Sequence, residues 1–110
     1  TMADTLHSVQ GVLGTSAGDI IDAVPSSTTE TVIGILVSNV NSSSQDVTID
    51  IEVVKSGGST TPHLLNDVTV PAGTTLVWET KVVLTTGDKI QGLCSAASSI
   101  DFTINYLKQT

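Results

Sequence analysis

A chain of 110 residues and 11.3 kDa has room for one hydrophobic core, since single cores commonly take about 100 to 150 residues. Eleven acids stand against four cations, all lysines (Lys55, Lys81, Lys89 and Lys108), and leave a net charge of −7. That balance argues against nucleic acid, whose phosphates need clustered Lys or Arg, and against anionic membranes; the longest aliphatic stretch, Val32 to Val37, is far short of the roughly 20 residues of a spanning helix.

The first eighteen residues carry Asp4 and no basic cluster ahead of an apolar run. No Sec-type signal peptide is expected, and the chain is expected to be made and folded in a cytoplasm. Residues 1–18 show little alternation and close on Gly14, Thr15, Ser16, Ala17 and Gly18. Two readings stand side by side: an N-terminal arm that clasps a neighbour, or an edge strand around Leu6 to Leu13 on its own subunit.

Residues 19–110 form the predicted domain, in which β-branched strands alternate with Ser, Thr, Gly, Asn and Pro clusters. The first strand runs from Asp19 to Val24 and stops at Pro25. The next, Thr31 to Val40, is apolar on both faces: Ile33, Ile35 and Val37 alternate with Val32, Gly34, Leu36 and Val40. A strand greasy on both sides is covered on both sides, so the second cover is expected from the arm, a loop or another subunit. From Val47 to Val53 the alternation is strict, with Val47, Ile49, Ile51 and Val53 inward and Thr48, Asp50 and Glu52 toward water.

Further strands are predicted from His63 to Val70, from Thr75 to Val83 after the Pro71 turn, and from Lys89 to Ser95 after the Thr85–Asp88 turn. The last places Ile100, Phe102, Ile104 and Tyr106 on one face and Asp101, Thr103 and Asn105 on the other. About seven or eight short strands at this spacing indicate an all-β antiparallel sandwich, jelly-roll or immunoglobulin-like. Its predicted core is Ile33, Ile35, Val37, Val47, Ile49, Ile51, Ile100, Phe102 and Ile104. A faint internal echo links Val37–Val54 to Cys94–Leu107; it fits either an old duplication with one hairpin per sheet or convergence on favourable turn chemistry.

Catalytic machinery is not evident. The usual bases would be His7 and His63, neither in a recognisable motif. Asp50 and Glu52 share a strand face, which a solvated sheet explains as well as paired acid catalysis does. Cys94 is the single cysteine, so no intramolecular disulfide can form, and it reads as a small buried apolar residue. No catalytic residue, cofactor or metal site is assigned. Trp78 either plugs the core or serves as an aromatic platform for a sugar or a subunit contact. With only Phe102, Trp78 and Tyr106 as rings, the core is modest and association is a natural supplement. The predicted oligomer interface is Val32, Leu36 and Val40.

The run VPAGTTLVWETKVVLTTGDKIQGLCSAASSIDFTINYL, Val70 to Leu107, resembles the C-terminal half of small virion structural proteins of tailed bacteriophages. The shared features are the VPAGT turn, the VLTTGD turn and the SAASSIDFTINYL closing strand, and in layout they extend over roughly Thr31 to Leu107. The resemblance implies a non-enzymatic β-sandwich located on the virion, in many copies, as a capsid decoration or a neck, tail or fibre component. Its implied partners are itself, with a trimer or hexamer favoured by phage geometry, and other virion proteins. A carbohydrate- or surface-binding module is the alternative, weakened by the shortage of rings.

Overall fold

The computed structural model describes residues 3–58 and 60–110. Every regular element among them is a strand: β1 (Asp4–Val12), β2 (Gly18–Ile21), β3 (Thr29–Asn39), β4 (Val47–Val54), β5 (His63–Val70), β6 (Thr75–Trp78), β7 (Val82–Leu84), β8 (Lys89–Cys94) and β9 (Ile100–Gln109). One sheet runs β1-β9-β3-β6, with β7 continuing the β6 edge along β3, and the other runs β2-β8-β4-β5. All pairings are antiparallel. The pairs nest: β4 with β5, β3 with β6 and β7, β2 with β8, β1 with β9. One long hairpin rolled into two layers is the jelly roll, so the expected sandwich is present and the jelly-roll form of it is the one adopted.

Strict alternation sets the inner faces. Val47, Ile49, Ile51 and Val53 of β4 meet Ile100, Phe102 and Ile104 of β9 and Ile35 and Val37 of β3 in one core, joined by Leu84, Ile90 and Val70. Phe102 needs room that only glycine leaves: a Cβ on Gly11, its partner on β1, would lie 2.8 Å from the ring.

Three polar devices hold the ends of the sandwich. Buried Asn39 donates to the carbonyls of Gln45 (2.8 Å) and Val70 (2.9 Å) and accepts from the Asn41 amide, pinning the crossing from β3 to β4. Asp88, 1% exposed, accepts from Lys55 Nζ (2.8 Å), from the amides of Ser56 (3.0 Å) and Thr85 (3.1 Å), and from the Thr85 hydroxyl. Burial opposes its charge, but these donors outweigh it and hold the carboxyl at about 2. The third is Cys94, whose buried thiol has the carbonyls of Ala96 (3.0 Å) and Leu13 (3.4 Å) as acceptors for its single S–H.

Three expectations are corrected. The strand predicted over Thr75–Val83 is two strands, because Glu79, Thr80 and Lys81 leave the sheet between β6 and β7. The two echoing segments are not hairpins within a sheet. Val37–Val54 crosses from the β3 sheet to the β4 sheet and Cys94–Leu107 from the β8 sheet to the β9 sheet; each corner holds one serine at positive φ, Ser44 (53°) and Ser98 (56°). Ile33 is not core: it is 40% exposed.

Candidate interaction face

The cause of that last correction lies in β3. Its pairing with β9 runs regularly to Val32↔Tyr106, then resumes at Gly34↔Asn105, so Ile33 is an extra residue in a β-bulge. The bulge moves the inward phase by one. Glu30 and Val32 point in before it, Ile35, Val37 and Asn39 after it. Val32, expected in an outer interface, is therefore fully buried in the core, and Ile33 takes the outer side in its place. Leu36 does lie on the outer side, half-buried, and Val40 continues it beyond the strand at 52% exposure.

Register then defines the whole outer face of this sheet. Leu6, Ser8, Gln10 and Val12 of β1 stand beside Leu107, Asn105, Thr103 and Asp101 of β9; Thr31, Gly34, Leu36 and Ser38 of β3 follow, then Val77 and Val83. Leu6, Val12, Ile33, Val77 and Val83 are exposed large apolar side chains here, with Val40 at the margin. Among the strand residues facing out, only Asp4 and Asp101 are charged, and they sit at opposite ends of the β1–β9 pair. A groove of about 830 Å³ crosses the face where β6 and β7 part, lined by Ile33, Gly34, Leu36, Val77 and Asn105 and, at its rim segment, by the charged Glu79 and Lys81. A Cβ on Gly34 would meet nothing within 4 Å. A shallower depression, between Leu6, Ser8, Ile33 and Asn105, continues it toward β1.

Trp78 lies half-buried and lines the same groove. It pairs with Ile35 and packs from the inner side against the core, while its neighbour Val77 turns outward. Sequence reasoning missed Leu6, Val12, Val77 and Val83; the solvent-facing apolar residues of short or weakly alternating strands carry no period to find them by.

The titratable groups are scattered. His7, on β1, stacks on Tyr106 with ring centroids 5.2 Å apart. His63 lies on the other sheet, 3.6 Å from Glu52. The fold does not bring the two imidazoles together. A cavity of about 270 Å³ between the layers is lined by Glu30, Asp22, Tyr106 and Lys108 among others. Burial raises the Glu30 carboxyl above its ordinary value, with Lys108 and His7 opposing and Asp22 adding to the rise. Among the described residues no three His, Cys, Asp or Glu side chains are grouped to hold a metal ion.

These features define a jelly-roll domain with one apolar outer face. No protein-family model and no curated protein matches the sequence. Solved structures do share the fold. A chain of the Bacillus endospore appendages, a family of disulfide-linked pili, superposes with a TM-score of 0.56 at 17% identity, over 99% of this chain and 87% of that one. A chain of the acid-stable capsid of Helicobacter pylori bacteriophage KHP30 gives 0.54 at 12% identity, over 100% and 92%. A chain of the VP2 subviral particle of infectious bursal disease virus gives 0.55 at 14% identity, over 99% of this chain and 32% of that one. At these identities the likeness is one of fold.

Proposed function

We propose that this protein is a non-enzymatic structural component of a phage virion, assembling with copies of itself on the particle. Capsid decoration fits best, ahead of a neck, tail or fibre component. The observation that carries the reading is the outer side of the β1-β9-β3-β6 sheet, where exposed Leu6, Val12, Ile33, Val77 and Val83 stand among uncharged polar residues and the outward strand positions carry charge only at Asp4 and Asp101, on a chain of net charge −7. Apolar surface of this kind marks a place where another protein sits. Leu36 and Val40 belong to the proposed contact, and Ile33 replaces Val32 in it. The capsid neighbours support the reading through their fold. A trimer or hexamer is the proposed assembly, other virion proteins are the further partners, and the particle is the proposed location.

A second reading, a subunit of a bacterial surface filament, is favoured by the endospore-appendage neighbour. Disulfide linkage of that kind has no counterpart here, because Cys94 is the only cysteine and is buried. A glycan-binding module has one ring to use, Trp78, which packs on the core and also lines the groove between β6 and β7.

Mass spectrometry of purified phage particles, combined with the native mass of the isolated protein, tests the proposal. The expected result is the chain among the virion proteins and a native mass that is a multiple of 11.3 kDa. A monomer absent from every particle overturns it.

A further inference from the structure

Sheets that end in open strands expose unpaired N–H and C=O groups, and proteins that stay solitary guard them with short strands, bulges, prolines or charges. Three of the four edges here are guarded. β2 is four residues long, bears Asp19 and shifts register after it. β5 lies between Pro62 and Pro71 and is bent by a bulge, with Asp67 at φ 54°. The β6–β7 edge is broken by Glu79, Thr80 and Lys81.

β1 is different. It runs nine residues in unbroken register with β9, and from Thr5 to Val12 it contains no proline, carboxylate, lysine or arginine. Ala3 and Thr110 exchange both backbone hydrogen bonds, and the Leu13 amide donates to Ile100. Antiparallel alternation between those points turns the N–H and C=O of Thr5, His7, Val9 and Gly11 toward β9. Those of Asp4, Leu6, Ser8, Gln10 and Val12 point away, to the open edge.

We infer that β1 is a self-pairing edge: two copies join β1 to β1 in antiparallel fashion about a two-fold axis at Ser8, making one continuous sheet across both subunits. The inference rests on the self-assembly part of the function proposed above, and of the two assemblies named there a two-fold contact belongs to the hexamer, as a pair of trimers, and not to an isolated trimer. Geometry supports a second copy as the occupant. Pairing about Ser8 sets Ser8 opposite Ser8, Leu6 opposite Gln10 and Asp4 opposite Val12, so every residue with free backbone groups meets another, for up to about ten hydrogen bonds. Charge supports it too. No like charges fall opposite each other along the seam, whereas the β2 and β5 edges carry Asp19 and Asp67, which would repel in a self-pair. The apolar outer faces then merge into one surface, with Leu6 and Val12 of both copies along its midline. A nine-residue edge on a sheet about 10 Å thick covers roughly 300 Å² per partner. That is small for a stable complex, so the pair is expected in the micromolar range.

The experiment is native mass and sedimentation at about 100 μM on the intact chain and two variants. Ser8→Pro deletes an N–H that β9 does not use and sets a ring on the edge. It is expected to keep the circular dichroism and melting of the parent while weakening the pairing at least about 100-fold. Ser8→Cys places two thiols across a hydrogen-bonded pair about 5.5 Å apart, within disulfide reach. With diamide as the oxidant it is expected to give a covalent dimer, while Thr69→Cys on the other sheet stays uncrosslinked. A parent chain that is monomeric at this concentration overturns the inference, as does an oligomer that Ser8→Pro leaves intact. Should Ser8→Pro fail to fold, the crosslink decides alone. An oligomer indifferent to both variants sinks the β1 contact and leaves the virion reading standing; a β1 dimer absent from particles does the reverse.

Discussion

The outer faces of the two sheets are made from the same strand chemistry and have opposite characters. On the β2-β8-β4-β5 side the outward residues include Asp19, Lys89, Gln91, Asp50, Glu52 and His63. They satisfy one another: Lys89 lies 3.2 Å from Asp19, Gln91 donates to Asp19 at 2.7 Å, and His63 faces Glu52. The Asp19 carboxyl is lowered by the Gln91 hydrogen bond first and by Lys89 second. On the β1-β9-β3-β6 side comparable positions hold Leu6, Val12, Ile33, Leu36, Val77 and Val83. A charged face pairs its own groups in water, whereas the exposed apolar residues of the other side have no such partners within the chain, which is what the proposed assembly would cover.

That contrast can be broken most severely within β3. Val32→Asp buries an unpaired charge and is expected to cost about 3 to 5 kcal/mol, enough to unfold a small domain. Leu36→Asp, four residues on and on the outer side, is expected to leave a folded protein and abolish assembly through this face while the β1 pair persists. Denaturation paired with native mass checks both. A step smaller, Trp78→Ala removes a half-buried inward ring and is expected to cost about 3 kcal/mol, against about 0.5 kcal/mol or less for outward Val77→Ala.

Two carboxylates sharpen the comparison through pH. The folded pKa of Asp88, about 2, lies below its ordinary 3.8. Its stabilisation is complete above pH 3.8 and is lost as pH falls through about 2. Asp88→Asn is expected to cost about 1 to 3 kcal/mol at neutral pH and to flatten the acid limb of a circular dichroism titration. Glu30 has the opposite sign, since its folded value is raised. Stability is greatest below its ordinary value and declines as pH rises through the raised one. Glu30→Gln is therefore expected to stabilise the fold by about 1 kcal/mol or less at pH 7, with no gain near pH 4; melting curves at both pH values check it.

The fold class was legible because β4 and β9 alternate without a break, and such strands admit one reading. β3 shows where legibility ended. Two apolar stripes were plain, but alternation does not say which stripe faces in, and the bulge at Ile33 lets one strand use both. Gly34, an isolated glycine in a strand, was the available cue. The parting of β6 from β7 left no cue, since Glu79, Thr80 and Lys81 look like any wet strand face. β1 was hidden for another reason: five of its first residues, Asp4 to Ser8, are all exposed, and a strand with little core beneath it has little pattern to display.

The nested pairing carries a kinetic consequence. Only a short reach of chain separates β4 from β5, while β1 must find β9 across nearly the whole sequence, so zipping is expected to start at the inner pair and travel outward. Pulse-labelled hydrogen exchange should protect the Ile49 amide region ahead of the Val9 region; simultaneous protection would contradict that order. In such a sequence of events the unguarded border is the last part to come into being, and until β1 docks the open margin of the growing sheet is β9, to which the β1 of a neighbouring chain could be lent in exchange.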